Sequence, residues 1–160
     1  MSWINGYYPD WVLNREEAEK LISHWSKSWV GKSIEESFVG WYPQDDSWFA
    51  DLPIMLIIGG EQVEICWQQF DSLSITKNQL SREKCITYGE EYPYKRNALP
   101  ELTASIGKTI LAVKLGMSSM TIEDKTLPMI NSVDFHLEGG FLSIYNSLDE
   151  NGVSCVPTNT

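Results

Sequence analysis

The chain is poor in basic residues, cysteine and histidine, and it has no long apolar run. Only 12 of its 160 residues are Lys or Arg, against 22 Asp and Glu, for a net charge of −10. The densest basic stretch is the pair Lys95-Arg96. Affinity for nucleic acid is built from clustered Lys and Arg, so the composition argues against a phosphate-backbone partner. Three cysteines, Cys66, Cys85 and Cys155, are widely spaced, odd in number and form no Cys-x-x-Cys. Such usage points to a reducing compartment. The longest aliphatic run, Ile54 to Ile58, is too short to span a bilayer. The first residues lack the positive and apolar segments of a signal peptide. No Asn-x-Ser/Thr acceptor occurs. The expectation is a cytoplasmic protein with no membrane attachment and no nucleic-acid partner.

Complete catalytic motifs are also missing. Gly31-Lys32-Ser33 and Gly107-Lys108-Thr109 look like the end of a phosphate-binding loop. The glycine required five residues before the second Gly is replaced by Ser26 and Leu102. The order is also reversed, because a helix precedes each motif and a strand follows it. A helix end with a dipole-complementing Lys accounts for both. His24 and His136 are the only histidines. Asp134, His136 and Glu138 share one strand face by the period of two, which a solvated outer face explains without a metal. No Gly-x-Ser-x-Gly elbow is present. Glu35-Glu36 fall on opposite faces of a strand and cannot simply work together, whereas Asp45-Asp46 lie in a loop and could, with nothing further to support an acid/base pair there. No catalytic residue, metal ligand or cofactor is assigned.

What the chain does have is a core and a repeat. It is 42% hydrophobic and carries seven Trp, seven Tyr and five Phe, enough for a domain that buries about 70% of its unfolded surface. Gly31-Lys32-Ser33-Ile34 recurs as Gly107-Lys108-Thr109-Ile110, and Gly40 as Gly116, at an offset of 76. Ile54, Leu56 and Ile58 match Val133, Phe135 and Leu137 at an offset of 79, and Val63 and Ile65 match Leu142 and Ile144. Self-similarity at a fixed spacing is the signature of repeated units. The expected arrangement is one domain with an internal duplication: a first unit over about 14–77, a polar linker over 78–97, and a second unit over about 98–156.

Each unit reads as helix, Gly-Lys turn, strand, long loop and β-hairpin. Asn14 and Glu17 have N-cap to N3 spacing, and Ala18, Leu21, Ile22, Trp25 and Trp29 form one apolar stripe. A second helix is expected from Pro100 to Ile106, with Pro at its first position. Strands are expected over 33–39, 53–58, 62–67 and 73–76 in the first unit, and over 109–115, 132–137, 141–145 and 153–156 in the second. Gly59-Gly60 and Gly139-Gly140 are hairpin turns. Asn151-Gly152 reads as a further turn and 157–160 as a frayed tail. Long loops are expected from Gly40 and from Gly116 to Asn131. Residues 1–13 read as an aromatic arm across the core. The fold class is α+β and predominantly antiparallel β, with two pseudo-repeats packed as a sandwich or a partly closed barrel carrying two helices.

The segment from Gly40 to Asp51 is the functional candidate. It combines Trp41, Tyr42, Trp48 and Phe49 with Asp45, Asp46 and Asp51. Aromatic anchors in a polar rim are the make-up of a protein-binding hot spot. Tyr92, in the Tyr88–Tyr94 stretch, has the same character. Trp41, Tyr42, Asp45, Asp46 and Tyr92 are therefore the candidate partner-binding residues. The corresponding loop of the second unit has no aromatics, so the first unit is the binding one. With its acidic charge, the chain reads as a non-catalytic protein-binding module whose partner is a basic protein. At the level of class alone it resembles small acidic bacterial proteins that neutralise toxins, as immunity proteins do. A small-ligand binder or enzyme with a cleft between the units, and a self-associating homodimer, are the alternatives.

Overall fold

The computed structural model describes residues 3–69 and 71–157. The frayed tail expected from 157 lies, from residue 158 onward, outside the described residues. Asn14 caps the first helix, α1 (Arg15–Trp29), by accepting a 2.9 Å bond from the Glu17 amide. Glu16 and Glu17 occupy its positive end, and Ala18, Ile22, Trp25 and Trp29 are its buried stripe. The cap residue at its other end is Val30, and Gly31 follows in the left-handed region at φ 90°. The second helix, α2, is the single turn Pro100–Thr103, shorter than the expected 100–106.

The strands are β1 (Trp11–Val12), β2 (Ile34–Tyr42), β3 (Ser47–Trp48), β4 (Ile54–Ile58), β5 (Glu61–Gln68), β6 (Ser72–Lys77), β7 (Lys84–Thr87), β8 (Glu90–Arg96), β9 (Ile110–Ile122), β10 (Lys125–Leu137), β11 (Gly140–Asn146) and β12 (Asn151–Ser154). All pairing is antiparallel. The first sheet runs β1-β6-β5-β4-β2-β8-β7, with β3 paired to β2, and the second runs β12-β11-β10-β9. Neither sheet closes on itself. The α+β, antiparallel-β expectation holds.

The first sheet is buried on both faces. All five residues of β4 are buried; Ile54, Leu56 and Ile58 join one cluster, and Met55 and Ile57 the other. The larger cluster holds the α1 stripe and the inner residues of both sheets, including Trp67, Val133, Phe135 and Ile144. The smaller is roofed by the N-terminal arm, whose Ile4 and Tyr7 are fully buried. The arm links two edges of this sheet: Ile4 bridges Thr87, and Trp11 pairs with Ser74. On the arm side, β5 carries Glu64, wholly buried and hydrogen-bonded by Gln62, Thr76 and the Gln79 amide. A buried carboxylate persists only when its oxygens are satisfied this way.

Three segments expected to be irregular are β-structure. Gly40 does not open a loop; β2 continues through it and turns back into β3. The glycine is there because Leu52 occupies the space a Cβ would fill. The 116–131 loop is the long β9–β10 ribbon, turned by Glu123 and Asp124 at φ 48° and 65°. Gly116 admits the Ser132 side chain at its bulge. The linker over 78–97 holds the β7–β8 hairpin, turned by Tyr88 and Gly89 at φ 51° and 77°. Paired positive φ values at the two central residues suit the right-handed twist of such hairpins. Asn151-Gly152 is not a turn either. It lies in β12, and the turn precedes it, at Leu148 and Asp149.

The sheets are stitched by Trp67 and Asn151. The Trp67 indole donates to the Ile144 carbonyl at 2.9 Å, and the Trp67 amide donates to the Asn151 side-chain oxygen at 2.7 Å. The Asn151 amide group donates to the carbonyls of Ala50 and Leu52 at 3.0 and 3.1 Å. Those two carbonyls flank Asp51, so one buried side chain sets the entry to β4 and the position of an acidic residue. Among the described residues no helix is long and apolar enough to cross a membrane.

Candidate functional site

The β2–β3 hairpin divides the sequence candidates between two faces. Neighbouring strand residues point oppositely. Trp41 therefore packs with Trp48 on the side of the larger core, while Tyr42 packs with the smaller one. Trp41 donates its indole N–H to Asp46 at 3.0 Å, and Lys95 lies 4.5 Å from the Trp41 ring centroid. Lys95 also pairs with Asp46 at 3.3 Å. The Trp41 hydrogen bond and then Lys95 hold the Asp46 carboxyl below its usual range. Asp46 is thus already partnered by a cation of its own chain.

Tyr42 belongs to a different group. It stacks on Phe49 at 4.2 Å between centroids, and Tyr92 meets both rings edge-on, at 5.8 and 4.9 Å. Tyr92 is fixed by a 2.7 Å hydrogen bond to Glu90. The Tyr42 hydroxyl is pushed up by burial and by the charges of Asp51, Glu150 and Asp45 around it. Asp51 is pushed up by partial burial and by Asp149. Among the described residues Asp45, Asp51, Asp149 and Glu150 enter no ion pair. Beside them is an open cleft of about 350 Å³ lined by Trp3, Phe49, Asp51, Gln68, Tyr88 and Asp149. Trp3 is held by stacking on Trp11 and by its carbonyl, which accepts from Thr87.

The structure therefore brings Tyr42 and Tyr92 together, places Asp45 in the acidic surroundings of Tyr42, and sets Trp41 with Asp46 on the other face. Asp149, Glu150, Trp3 and Tyr88 join the group from distant parts of the chain. Trp3 and Tyr88 lie in stretches marked by their aromatic content, whereas no local sequence signal marks Asp149 and Glu150. The turn before β12 delivers the two acids, and the arm and the β7–β8 turn deliver the aromatics. The cleft can take a cation. Two carboxylates near one another repel, and a guanidinium or ammonium between them relieves that repulsion while its flat or apolar part lies on aromatic rings.

The remaining polar groups are arranged for structure. His24 and His136 sit on separate elements, against Trp25 and Phe141. Asp134 accepts a 2.7 Å bond from Ser143 rather than facing a ligand with His136. Among the described residues no group of three His, Cys, Asp or Glu is placed to hold a metal ion. Cys66 and Cys85 are buried, and burial raises their thiols to about 12 and about 11, whereas Cys155 is exposed. Thiolate is the reactive form. At neutral pH an alkylating reagent is expected to modify Cys155 of the native protein and leave Cys66 and Cys85 intact until denaturant is added. Peptide mass mapping reads this; native labelling of Cys66 at the rate of Cys155 would contradict it.

No family model, curated protein or solved structure matches this chain.

Proposed function

We propose that this chain is a non-catalytic protein-binding module that engages a basic protein through the acid–aromatic end of its first sheet, in the manner of an immunity-type neutraliser. The observation that carries the reading is the set of four carboxylates, Asp45, Asp51, Asp149 and Glu150, gathered around Tyr42 and an aromatic cleft with no cation paired to them. Uncompensated like charge is unfavourable in the free protein and becomes favourable when an Arg or Lys side chain arrives. The cleft is of a size to receive one such side chain, and Trp3, Phe49 and Tyr88 offer the ring surfaces on which a guanidinium rests. Trp41 and Asp46, closed by Lys95, form the rim.

We also infer that the scaffold is a duplicated unit whose copies pack face to face. The two Gly-Lys turns exchange hydrogen bonds reciprocally. Gly31 N–H donates to the Ile110 carbonyl at 2.9 Å and Gly107 N–H to the Ile34 carbonyl at 2.7 Å. Ile110 N–H donates to Lys32 and Ile34 N–H to Lys108. Each bond maps onto its counterpart by the offset of 76 that relates the motifs. Only the first copy carries the aromatic hairpin, which gives the pair a single binding end.

The test is affinity capture from the native host lysate at low salt, followed by a high-salt wash. The reading expects one basic protein that is retained at low salt and released at high salt, because steering between opposite charges is screened within about 10 Å at 0.1 M salt. Retention of no basic protein, or retention indifferent to salt, overturns it.

A further inference from the structure

We propose that the outer edge of β9 pairs with β9 of a second copy of this chain, about a twofold axis that passes beside Ser119. This surface adjoins the acid–aromatic end, since Asp149 lines a cavity with Ser118, Ser119 and Met120, but the inference does not rest on the basic-partner reading.

β9 is the terminal strand of its sheet, 13 residues long, with β10 as its only strand neighbour among the described residues. Edge strands are usually protected by proline, by repeated charges or by shortness. β9 has no proline and one charge, Lys114. Helix α1 lies against Val113, Lys114 and Leu115 across a shallow cleft, which leaves 116–122 as the open stretch. Its midpoint is Ser119. The ribbon also carries apolar side chains into solvent: Ile122 is 52% exposed and Leu127 50%, with Met120 and Met129 beside them.

Charge selects the occupant. The whole chain carries −10, yet the ribbon from 109 to 133 holds Lys114 and Lys125 against Glu123 and Asp124, a net of zero. The ribbon's own charges offer a basic partner no net attraction, whereas two copies of an acidic chain meet most cheaply at an electroneutral edge. An antiparallel pair with a twofold normal to the sheet places facing residues on the same side. Centring on Lys114 would set that ammonium against itself, which is destabilising. Centring on Ser119 sets Lys114 of one copy beside the Glu123-Asp124 turn of the other, twice by symmetry. The same register puts Ile122 opposite Gly116 and Met120 opposite Ser118, so each large side chain meets a small one. Such isologous matching is what a closed twofold dimer requires.

Sedimentation velocity over a concentration series, with disulfide trapping, tests this. In a Cys155→Ser background, Ser119→Cys is expected to cross-link to itself under mild oxidation. Directly opposed residues are about 4.5–5.5 Å apart at Cα, inside the range a disulfide spans. Ser118→Cys and Thr121→Cys, displaced from the axis, are expected to link about tenfold less efficiently. The unmodified chain is expected to sediment as a dimer at high micromolar concentration. Lys114→Glu, which brings like charges together, is expected to raise the dimer Kd about tenfold. Asp124→Asn keeps a residue suited to the left-handed turn and is expected to weaken the dimer in the same direction. A monomer throughout the series, strongest trapping at a position other than 119, or a dimer indifferent to Lys114→Glu overturns the proposal.

Discussion

Asn151→Ala is expected to lower the stability of the protein by about 3–4 kcal/mol. The side chain is buried and makes three hydrogen bonds to backbone groups outside its own sheet: two donated, to Ala50 and Leu52 in the segment before β4, and one accepted, from Trp67 of β5. Truncation strands buried backbone polar groups, each of which costs about 1–3 kcal/mol when unpaired. Ala50 retains the bond from the Asn151 amide, so the loss falls on Leu52 and Trp67. Against a typical domain stability of about 5–15 kcal/mol this is a large fraction. Urea denaturation followed by tryptophan fluorescence measures it. A midpoint shift equivalent to less than about 1 kcal/mol would contradict the stitching role, since that is the net value of one ordinary hydrogen bond. Asn151→Asp is expected to be damaging as well, because it keeps the acceptor for Trp67 but loses both donors. The two carbonyls flank Asp51, so either variant also loosens an acidic residue of the proposed binding end.

The second large effect concerns that end. Asp51→Lys together with Asp149→Lys is expected to weaken partner binding by about a hundredfold or more, in keeping with the roughly 2–5 kcal/mol lost when a buried charge pair is broken. Both carboxylates line the cleft, and burial and their mutual repulsion raise Asp51 in the free protein. Lysines there turn an attraction into a repulsion. Asp51 lies outside the strands and Asp149 in the left-handed turn before β12, and circular dichroism checks that the double variant keeps the fold. By contrast Asp46→Asn is expected to matter little, because Asp46 is engaged by Trp41 and Lys95 of its own chain. Isothermal titration with the captured partner distinguishes the two variants; equal losses for both would contradict the division of the hairpin into a working face and a rim.

Much of the scaffold is legible in the sequence where local chemistry and tertiary packing agree. The Asn14 cap and the Ala18–Trp29 stripe specify α1, and Gly59-Gly60 turns β4 into β5 with both glycines at positive φ. The loops expected at Gly40 and Gly116 are strand, because each glycine answers a tertiary contact, with Leu52 and with Ser132, that the sequence does not display. The turns at Glu123-Asp124 and Tyr88-Gly89 were hidden because charged and exposed residues mask the period of two on edge hairpins. The site was half legible. The pairing of Tyr42 with Phe49 follows from the hairpin, yet Tyr92 reaches them through β8, whose polar sequence reads as a linker. The split between Trp41 and Tyr42 is implicit in strand alternation once β2 is known to continue past Gly40. Asp149, Trp3 and Tyr88 come from opposite ends and the middle of the chain, and only the folded topology brings them together.

The most direct measurement compares two double variants of equal charge. Asp51→Lys/Asp149→Lys changes the net charge by +4, from −10 to −6, and so does Glu61→Lys/Glu138→Lys, whose exposed glutamates lie at the opposite end of the β4–β5 and β10–β11 hairpins. Capture of the basic partner at low salt is measured for both beside the unmodified chain. Loss of binding with the first variant and retention with the second is the predicted result. Equal weakening by the two would show that net charge, and not the acid–aromatic end, attracts the partner, and would contradict the account.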